Sequence, residues 1–387
     1  MNRKNRGKGT WNRENDEQHV KHPTLPGTLL GMEKIIPRLL VRVMALATLM
    51  GSNGWAADTE PPPPPGRLYD VGGHKMHLYA TGNGAGGPSV VLEAGAGAFS
   101  IDWYLVQQEV AKFATVCSYD RAGHAWSELG PRPRTMKQAV YDLHRLLVVA
   151  GMRGPYVMVG HSLGGALVRV FAAEYPKDVA GVVLVDAGVD NRPNFVNGKW
   201  EGPFDRAIPR QIPLPRDQIR DDERVLTQPE LNGFKQFRDA FGPPKIESPF
   251  DKLPEPMQKL RLWAMSLPQS NVTDYNPYAS EESLLLFAER IRVEHPLGNK
   301  PLVVLTRKSG DNRTTEEQES EKRRIEGQKS FRDLSSNSAF AMSNFPVHEI
   351  QLAQPDLVVK AIRAVVESVK TGANLKLPTS DVLPGQP

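Results

Sequence analysis

With 387 residues, 40% of them hydrophobic and 24% charged, the chain is long enough for one large domain or two modest ones and has an ordinary globular composition. Its formal charge of +4 is concentrated at the start: residues 1–56 hold nine Lys/Arg against four Asp/Glu, which leaves 39 against 40 in the remainder. A body so nearly neutral, with no basic stripe, excludes an electrostatic case for nucleic-acid binding.

From Met32 the stretch "MEKIIPRLLVRVMALATLMGSNGWAADTE" sets Lys34 and Arg38 ahead of a short apolar run, Leu39 to Met50, with small residues at Gly54 and Ala56. That is the order of basic, apolar and cleavage regions in a signal peptide, and it predicts an exported (periplasmic or secreted) protein cleaved after Ala56. Met32 reads as the alternative start. The apolar run is short for a bilayer and Arg42 interrupts it, so an uncleaved N-terminal anchor is the second reading. A stiff polyproline piece, "EPPPPPG", follows, giving a leader over 1–56 and a spacer over 57–66. Cys117 is the sole cysteine, so no intramolecular disulfide can brace the chain, and within the apolar "TVCSYD" it reads as a buried structural thiol.

The body alternates strands and helices. "SVVLEAG" and "TVCSYD" are short apolar runs ending in Gly or Asp, and "TMKQAVYDLHRLLVVAG" has helical spacing that stops at Gly151. "YVMVG" is a strand, "LGGALVRVFAAEY" a helix ending before Pro176, and "VAGVVLVDA" another strand. Such alternation predicts the α/β class, with a mostly parallel sheet covered by helices on both faces. From 188 to 300 the rhythm breaks into a Pro-rich, charged stretch with helix-like pieces such as "EPMQKLRLWAMSL" and "EESLLLFAERIRVE", and no buried strand is expected there. It resumes with "PLVVLTR" and closes in a helix after Pro355, where Leu357, Val358, Ala361, Ile362, Val365 and Val366 share one face. The expected organisation is a core over 67–187 and 301–370, a helical cap over 188–300 and a flexible tail over 371–387.

Ser162 stands at the corner between "YVMVG" and the next helix, inside Gly160-His161-Ser162-Leu163-Gly164. G-x-S-x-G between a strand and a helix is a nucleophile elbow: the turn leaves no room for flanking side chains, and it lifts the serine hydroxyl to the sheet edge at the positive end of a helix. A serine nucleophile needs a base later in the chain, and only His295 and His348 follow it. His295 lies in the linker returning to "PLVVLTR". His348, in "FPVHEIQLAQPDLVV", falls between the last sheet element and the final helix and is the expected base. For the acid that orients it, Asp311 in "RKSGDN" is preferred, with Asp186 at the end of "GVVLVDA" as the alternative. The expected oxyanion donors are the backbone amides of Leu163 and of Ala96, where "VVLEAGAGAFS" turns inward at Gly95.

The other histidines have plain readings. His124 shapes the turn after Asp120, His161 flanks the nucleophile, and His74 and His77 belong to an early hairpin. No third ligand cluster joins them, so no metal is assigned; the glycine-rich stretches lack the Lys and Ser/Thr of a P-loop, so no cofactor is expected.

Taken together, "VVLEAGAGAFSIDW", "CSYDRAGHAWSE", "VMVGHSLGG", "GVVLVDA", "PLVVLT" and "VHEIQLAQPDLVV" resemble the α/β-hydrolase fold superfamily over roughly residues 67–370, in particular its serine esterase and haloperoxidase-like branch with a helical cap. The resemblance implies that fold, a triad of Ser162, His348 and Asp311, and oxyanion donors at Ala96 and Leu163. There are three departures. Glu93-Ala94-Gly95 stands where many relatives carry His-Gly, Ala125 stands where Gly is usual, and the loop after "PLVVLT" is long. A Ser nucleophile separates the chain from the dehalogenase and epoxide-hydrolase branches, which use Asp. The activity expected is carboxylesterase-like cleavage of a small to medium, largely apolar ester. The same triad also serves perhydrolysis, thioester hydrolysis or carbon–carbon bond hydrolysis, and a non-catalytic binding protein on this fold is the alternative of another class. Trp200, Phe204, Phe234, Phe237, Trp263 and Phe287 read either as the wall of an apolar pocket or as the cap's own core. The partner expected is a small-molecule substrate, with the oligomeric state left open.

Overall fold

Side chains that alternate along the central strands feed two separate apolar layers. Val91, Met158, Leu184 and Val304 pack with Leu143, Leu146 and Phe171 on one face of the sheet. Their neighbours Val90, Val157, Val183 and Val303 pack with Val106, Val110, Ile362 and Val365 on the other. A strand apolar on both faces belongs inside a parallel sheet with helices on either side.

A computed structural model describes residues 61–377, except 84–85, 190–193, 197–198, 202–223, 273–275, 277–278 and 312–313. The leader, with its export signal, and the distal tail lie outside the described residues. The strands are β1 (Arg67–Asp70), β2 (Lys75–Thr81), β3 (Val90–Glu93), β4 (Val116–Tyr119), β5 (Tyr156–His161), β6 (Val179–Val185), β7 (Asn194–Val196), β8 (Lys199–Glu201), β9 (Leu302–Thr306) and β10 (Ser338–Met342). Eight of them form one sheet in the order β1-β2-β4-β3-β5-β6-β9-β10, while β7 and β8 pair separately. Only β2 runs against its neighbours β1 and β4; the rest are parallel, with β5 between β3 and β6.

The helices are α1 (Tyr104–Val110), α2 (Met136–Val149), α3 (Leu163–Glu174), α4 (Gln228–Phe241), α5 (Glu255–Ser266), α6 (Gln269–Val272), α7 (Ala279–Arg292), α8 (Thr315–Ser330), α9 (Ile350–Ala353) and α10 (Pro355–Thr371). In α10 the six apolar residues read from the sequence are all buried. Cys117 is buried as well, and burial pushes its thiol up to about 12.

The stretch 188–300 carries four of these helices. It also carries the β7–β8 ribbon, which the sequence does not announce because three-residue strands are too short to show alternation. Helix α5 docks through Arg261, whose Nε donates to Asp102 Oδ1 at 2.8 Å, and through Trp263, whose ring lies tilted against Trp126 at 4.9 Å between centroids. Glu282 of α7 accepts from the Met136 amide at 2.9 Å, supplying an acceptor and a negative charge at the N-terminus of α2. The proline segment is not free-standing, since Trp126 Nε1–H donates to the Pro62 carbonyl at 2.6 Å.

Ile362 is fully buried between α10 and the sheet, whereas Val148 on α2 is 60% exposed. Ile362→Ala is expected to lower stability by about 2–5 kcal/mol. Val148→Ala should stay within about 0.5 kcal/mol of the parent, and urea-unfolding midpoints of the two variants check both figures.

Candidate active site

Strand β5 passes into α3 through Ser162, which holds φ 53° and ψ −118°. An L-residue stays in that left-handed region only where its surroundings impose it, at a cost on the order of 1–3 kcal/mol. Here they do. The Ser162 amide donates to the Val185 carbonyl at 3.2 Å, and its own carbonyl accepts from the Gly165 and Gly188 amides at 3.0 Å each. A Cβ at Gly160 would lie 2.3 Å from the Gly164 carbonyl oxygen, and one at Gly164 would lie 2.5 Å from that of Glu93. The glycines of the motif are there because backbone already fills that space.

His348 sits in the loop between β10 and α9, and its Nδ1 lies 2.7 Å from Asp186 Oδ2. A carboxylate only accepts, so Nδ1 carries the proton and Nε2 is left with the lone pair. The loop is held to the elbow by His161: its Nε2–H donates to the His348 carbonyl at 3.0 Å, and the two rings lie 4.5 Å apart. With Nε2 protonated, His161 Nδ1 accepts from Gln351 Nε2 at 3.4 Å. Burial, and then the nearby His348, pull the His161 imidazole down to about 3, which suits a neutral spacer.

Asp186 follows β6 directly, with φ 40° and its amide donating to the Leu305 carbonyl at 2.8 Å. Burial acts to raise its carboxyl, but the His348 hydrogen bond and the charges of Arg307 and Arg324 prevail and hold it well below the usual carboxylate range. This corrects the sequence preference for Asp311. That residue is exposed in the loop after β9, while the position directly after β9 is Arg307, whose Nη1 turns back to Asp186 Oδ2 at 2.6 Å. Because β6 and not β9 adjoins β5, the end of β6 is nearer the elbow.

The loop after β3 is clamped from below. Arg121 Nη1 donates to Glu93 Oε1 at 2.9 Å and to the Ala94 carbonyl at 2.8 Å, and its Nη2 donates to the Gly95 carbonyl at 2.6 Å. The Tyr119 hydroxyl donates to the second Glu93 oxygen; burial and the Glu93 charge push that hydroxyl well up, so it keeps its proton. Glu93 is thus the anchor for the arginine that draws two loop carbonyls toward itself. A Cβ at Gly95 would come within 3.2 Å of Ser162 Cβ, so the loop backbone passes against the serine. Ala96 and Leu163, the two expected donors, both line a cavity of about 240 Å³ whose other walls include Ala122, Met136, Leu167 and Ala279. The described aromatics of the 188–300 stretch, Phe234, Phe237, Trp263 and Phe287, do not line it, and Phe204 and the Trp200 side chain lie outside the described residues.

Of the other histidines singled out in the sequence, His124 lines the same cavity, and His74, His77 and His295 do not. His77 Nδ1 lies 2.7 Å from Asp120 Oδ2 with both side chains buried, and His74 lies 3.7 Å from Asp142. His124 packs on Phe99, and His295 Nδ1–H donates to the Asp333 carbonyl. Among the described residues, no group of three or more His, Cys, Asp or Glu side chains is placed to hold a metal ion.

The family described as the alpha/beta hydrolase fold matches residues 88–290, just over half of the chain. The chain belongs to the α/β-hydrolase fold family. Among curated proteins this α/β hydrolase is similar to the uncharacterized protein YbdG of Bacillus subtilis, with 25% identity over 193 residues covering 45% of this chain and 58% of that protein. It is also similar to the uncharacterized protein YqjL of the same bacterium, with 30% identity over 129 residues covering 33% and 51%. In both cases the match spans less than two thirds of the relative's own length. Of solved structures, Cfl2 from Burkholderia cenocepacia superposes with a TM-score of 0.52 at 18% identity, covering 78% of this chain and 95% of that one. A thermophilic esterase from Thermogutta terrifontis superposes at 0.50 with 20% identity, covering 76% and 94%. At such identities the likeness is one of fold.

Four site residues of this α/β hydrolase escape a reading for motifs: Arg121, Arg307, Glu321 and Arg324. Arg121 and Arg307 sit at strand ends on the carboxyl edge, which was a usable signal. Glu321 and Arg324 belong to "TEEQESEKRRIEGQKS", where dense charge hides them.

An imidazole whose pKa falls on folding destabilises the protein in acid, because the unfolded chain binds a proton the folded one refuses. For His161 the window runs from the ordinary value of 6.5 down to about 3, with a slope of up to about 1.4 kcal/mol per pH unit. His161→Gln should therefore flatten the fall of stability between pH 6.5 and 4 by close to one proton, as urea-unfolding series at several pH values would read.

Proposed function

We propose that this chain is a serine hydrolase that cleaves a carboxylic ester of a small to medium, largely apolar substrate, using Ser162, His348 and Asp186. The observation that carries the reading is the 2.7 Å His348–Asp186 contact beside a serine held at φ 53°. It orients one imidazole nitrogen as donor and leaves the other as base.

In the reaction, His348 Nε2 takes the Ser162 hydroxyl proton as the oxygen attacks the ester carbonyl. The oxyanion accepts from the Ala96 and Leu163 amides, each such donor being worth about 3 kcal/mol in the transition state, and the positive end of α3 adds to this. His348 then returns the proton to the leaving alcohol, and a water attacks the acyl-serine by the same route to release the acid. Asp186 stays ionised throughout and offsets the imidazolium charge. The cavity of about 240 Å³, walled in part by Asn276 and Ala279 of the 188–300 stretch, is the proposed acyl pocket and favours a short acyl chain. The segment from Met32 is proposed as an export signal cleaved after Ala56; N-terminal sequencing of the mature protein should begin at Ala57.

The chain from Ala57 should hydrolyse p-nitrophenyl acetate and butyrate faster than octanoate and take up a fluorophosphonate label. Ser162→Ala should lose both, with turnover down by at least about 1,000-fold. Absence of both turnover and labelling in the parent would leave a binding protein on the hydrolase fold.

A further inference from the structure

Asp186 is held by more cations than an orienting acid needs. Besides the His348 Nδ1–H, its oxygens accept from Arg307 Nη1 at 2.6 Å, the Arg307 amide at 3.2 Å, Arg324 Nη1 at 3.0 Å and the Thr306 hydroxyl at 3.0 Å. Both arginines turn their other edges to one carboxylate: Arg307 Nη2 to Glu321 Oε1 at 3.1 Å, and Arg324 Nε to Glu321 Oε2 at 3.0 Å. Arg324 Nη2 also donates to the Arg307 carbonyl at 2.9 Å, which ties α8 to the end of β9.

Two carboxylates and two guanidiniums therefore form a ring that is electrically closed before His348 is counted. Helix α8 is matched to it: its buried residues are Glu321, Arg324 and Gln328, all polar, and Gln328 Nε2–H donates to the Ala187 carbonyl beside Asp186. A helix that buries a polar stripe at i, i+3 and i+7 does so against a polar partner, because those groups are costly to bury unpaired.

We propose that the ring of Arg307, Arg324 and Glu321 sets the proton affinity of His348 through Asp186, the arginines opposing the imidazolium and Glu321 relieving that opposition. Arg324 and Glu321 are positioning residues of opposite sign. The proposal rests on the reading of His348 as base, but its test follows protonation and not turnover. Among the described residues, the other groups facing His348 supply no comparable charge. His161 on β5 stays neutral down to about 3, Gln351 on α9 is uncharged, and across the elbow Glu93 and Arg121 compensate each other. On its own loop, Glu349 adds one negative charge next in sequence, unchanged by the substitutions below.

The test is a histidine NMR titration of the full chain carrying Ser162→Ala, with His348→Gln to assign the resonance. Added Arg324→Met should raise the His348 midpoint, and Glu321→Gln should lower it, each on the order of 1 pH unit, as expected for removing one charge from a partly screened site. Arg324→Lys should restore it to within a few tenths of a unit. In the Ser162 protein, the acid limb of fluorophosphonate labelling should move with each midpoint. Shifts in the same direction, or none, would overturn the proposal, since a merely structural brace weakens folding without opposed titration shifts. Should Arg324→Met fail to fold, the near-isosteric Glu321→Gln decides by sign: a lower midpoint supports the ring, an unchanged or higher one refutes it. If the midpoints move as expected while the parent neither labels nor turns over, the hydrolase reading falls and the control of proton affinity stands.

Discussion

Because Ser162 is held at φ 53°, β5 enters α3 with no room for side chains at Gly160 and Gly164, and the positions of the other groups follow. The bend pins the serine carbonyl to the Gly165 and Gly188 amides. The second of these is two residues beyond Asp186, so the turn that lifts Ser162 also fixes the strand end that carries Asp186. His161, the residue before the serine, then holds the His348 loop by its carbonyl. One backbone constraint thus gathers three segments distant in sequence.

Around that turn lie two buried charge networks, Glu93–Arg121 under the loop after β3 and Asp186–Arg307–Arg324–Glu321 under the His348 loop. Buried ion pairs are weak contributors to net stability, since desolvation offsets most of their attraction, but losing one partner is costly. Networks of this kind resist partial rearrangement more than they deepen the folded minimum. That is what the loop after β3 needs if its amides, as proposed, are to point at an oxyanion without reorganising.

Much of this was legible beforehand. The strands β3, β5, β6 and β9 announced themselves as apolar runs, Ser162 by the strand and helix around it, and His348 by its place after the last strand. The choice between Asp186 and Asp311 was not legible, because both lie at or just beyond strand ends on the same edge and the order of strands in the sheet decides between them. Nor was the buried stripe of α8: hydrophobic periodicity finds helices that face oil, and this one faces a carboxylate. The contact from Trp126 to Pro62 was invisible for a related reason, since a proline run carries no sign of what its carbonyls meet.

On the proposed reading, Asp186 at the end of β6 serves as the acid, and the segment between Arg307 and α8 has no duty to present a carboxylate. Its anchor points, Arg307 at one end and the Thr314 cap of α8 at the other, are secured by their own bonds. On that reading, the residues between these anchors can be exchanged without disturbing the His348–Asp186 contact. On this scaffold that rim is a place where new recognition can be grafted, by evolution or by hand, at little risk to the contacts that hold His348 beneath it.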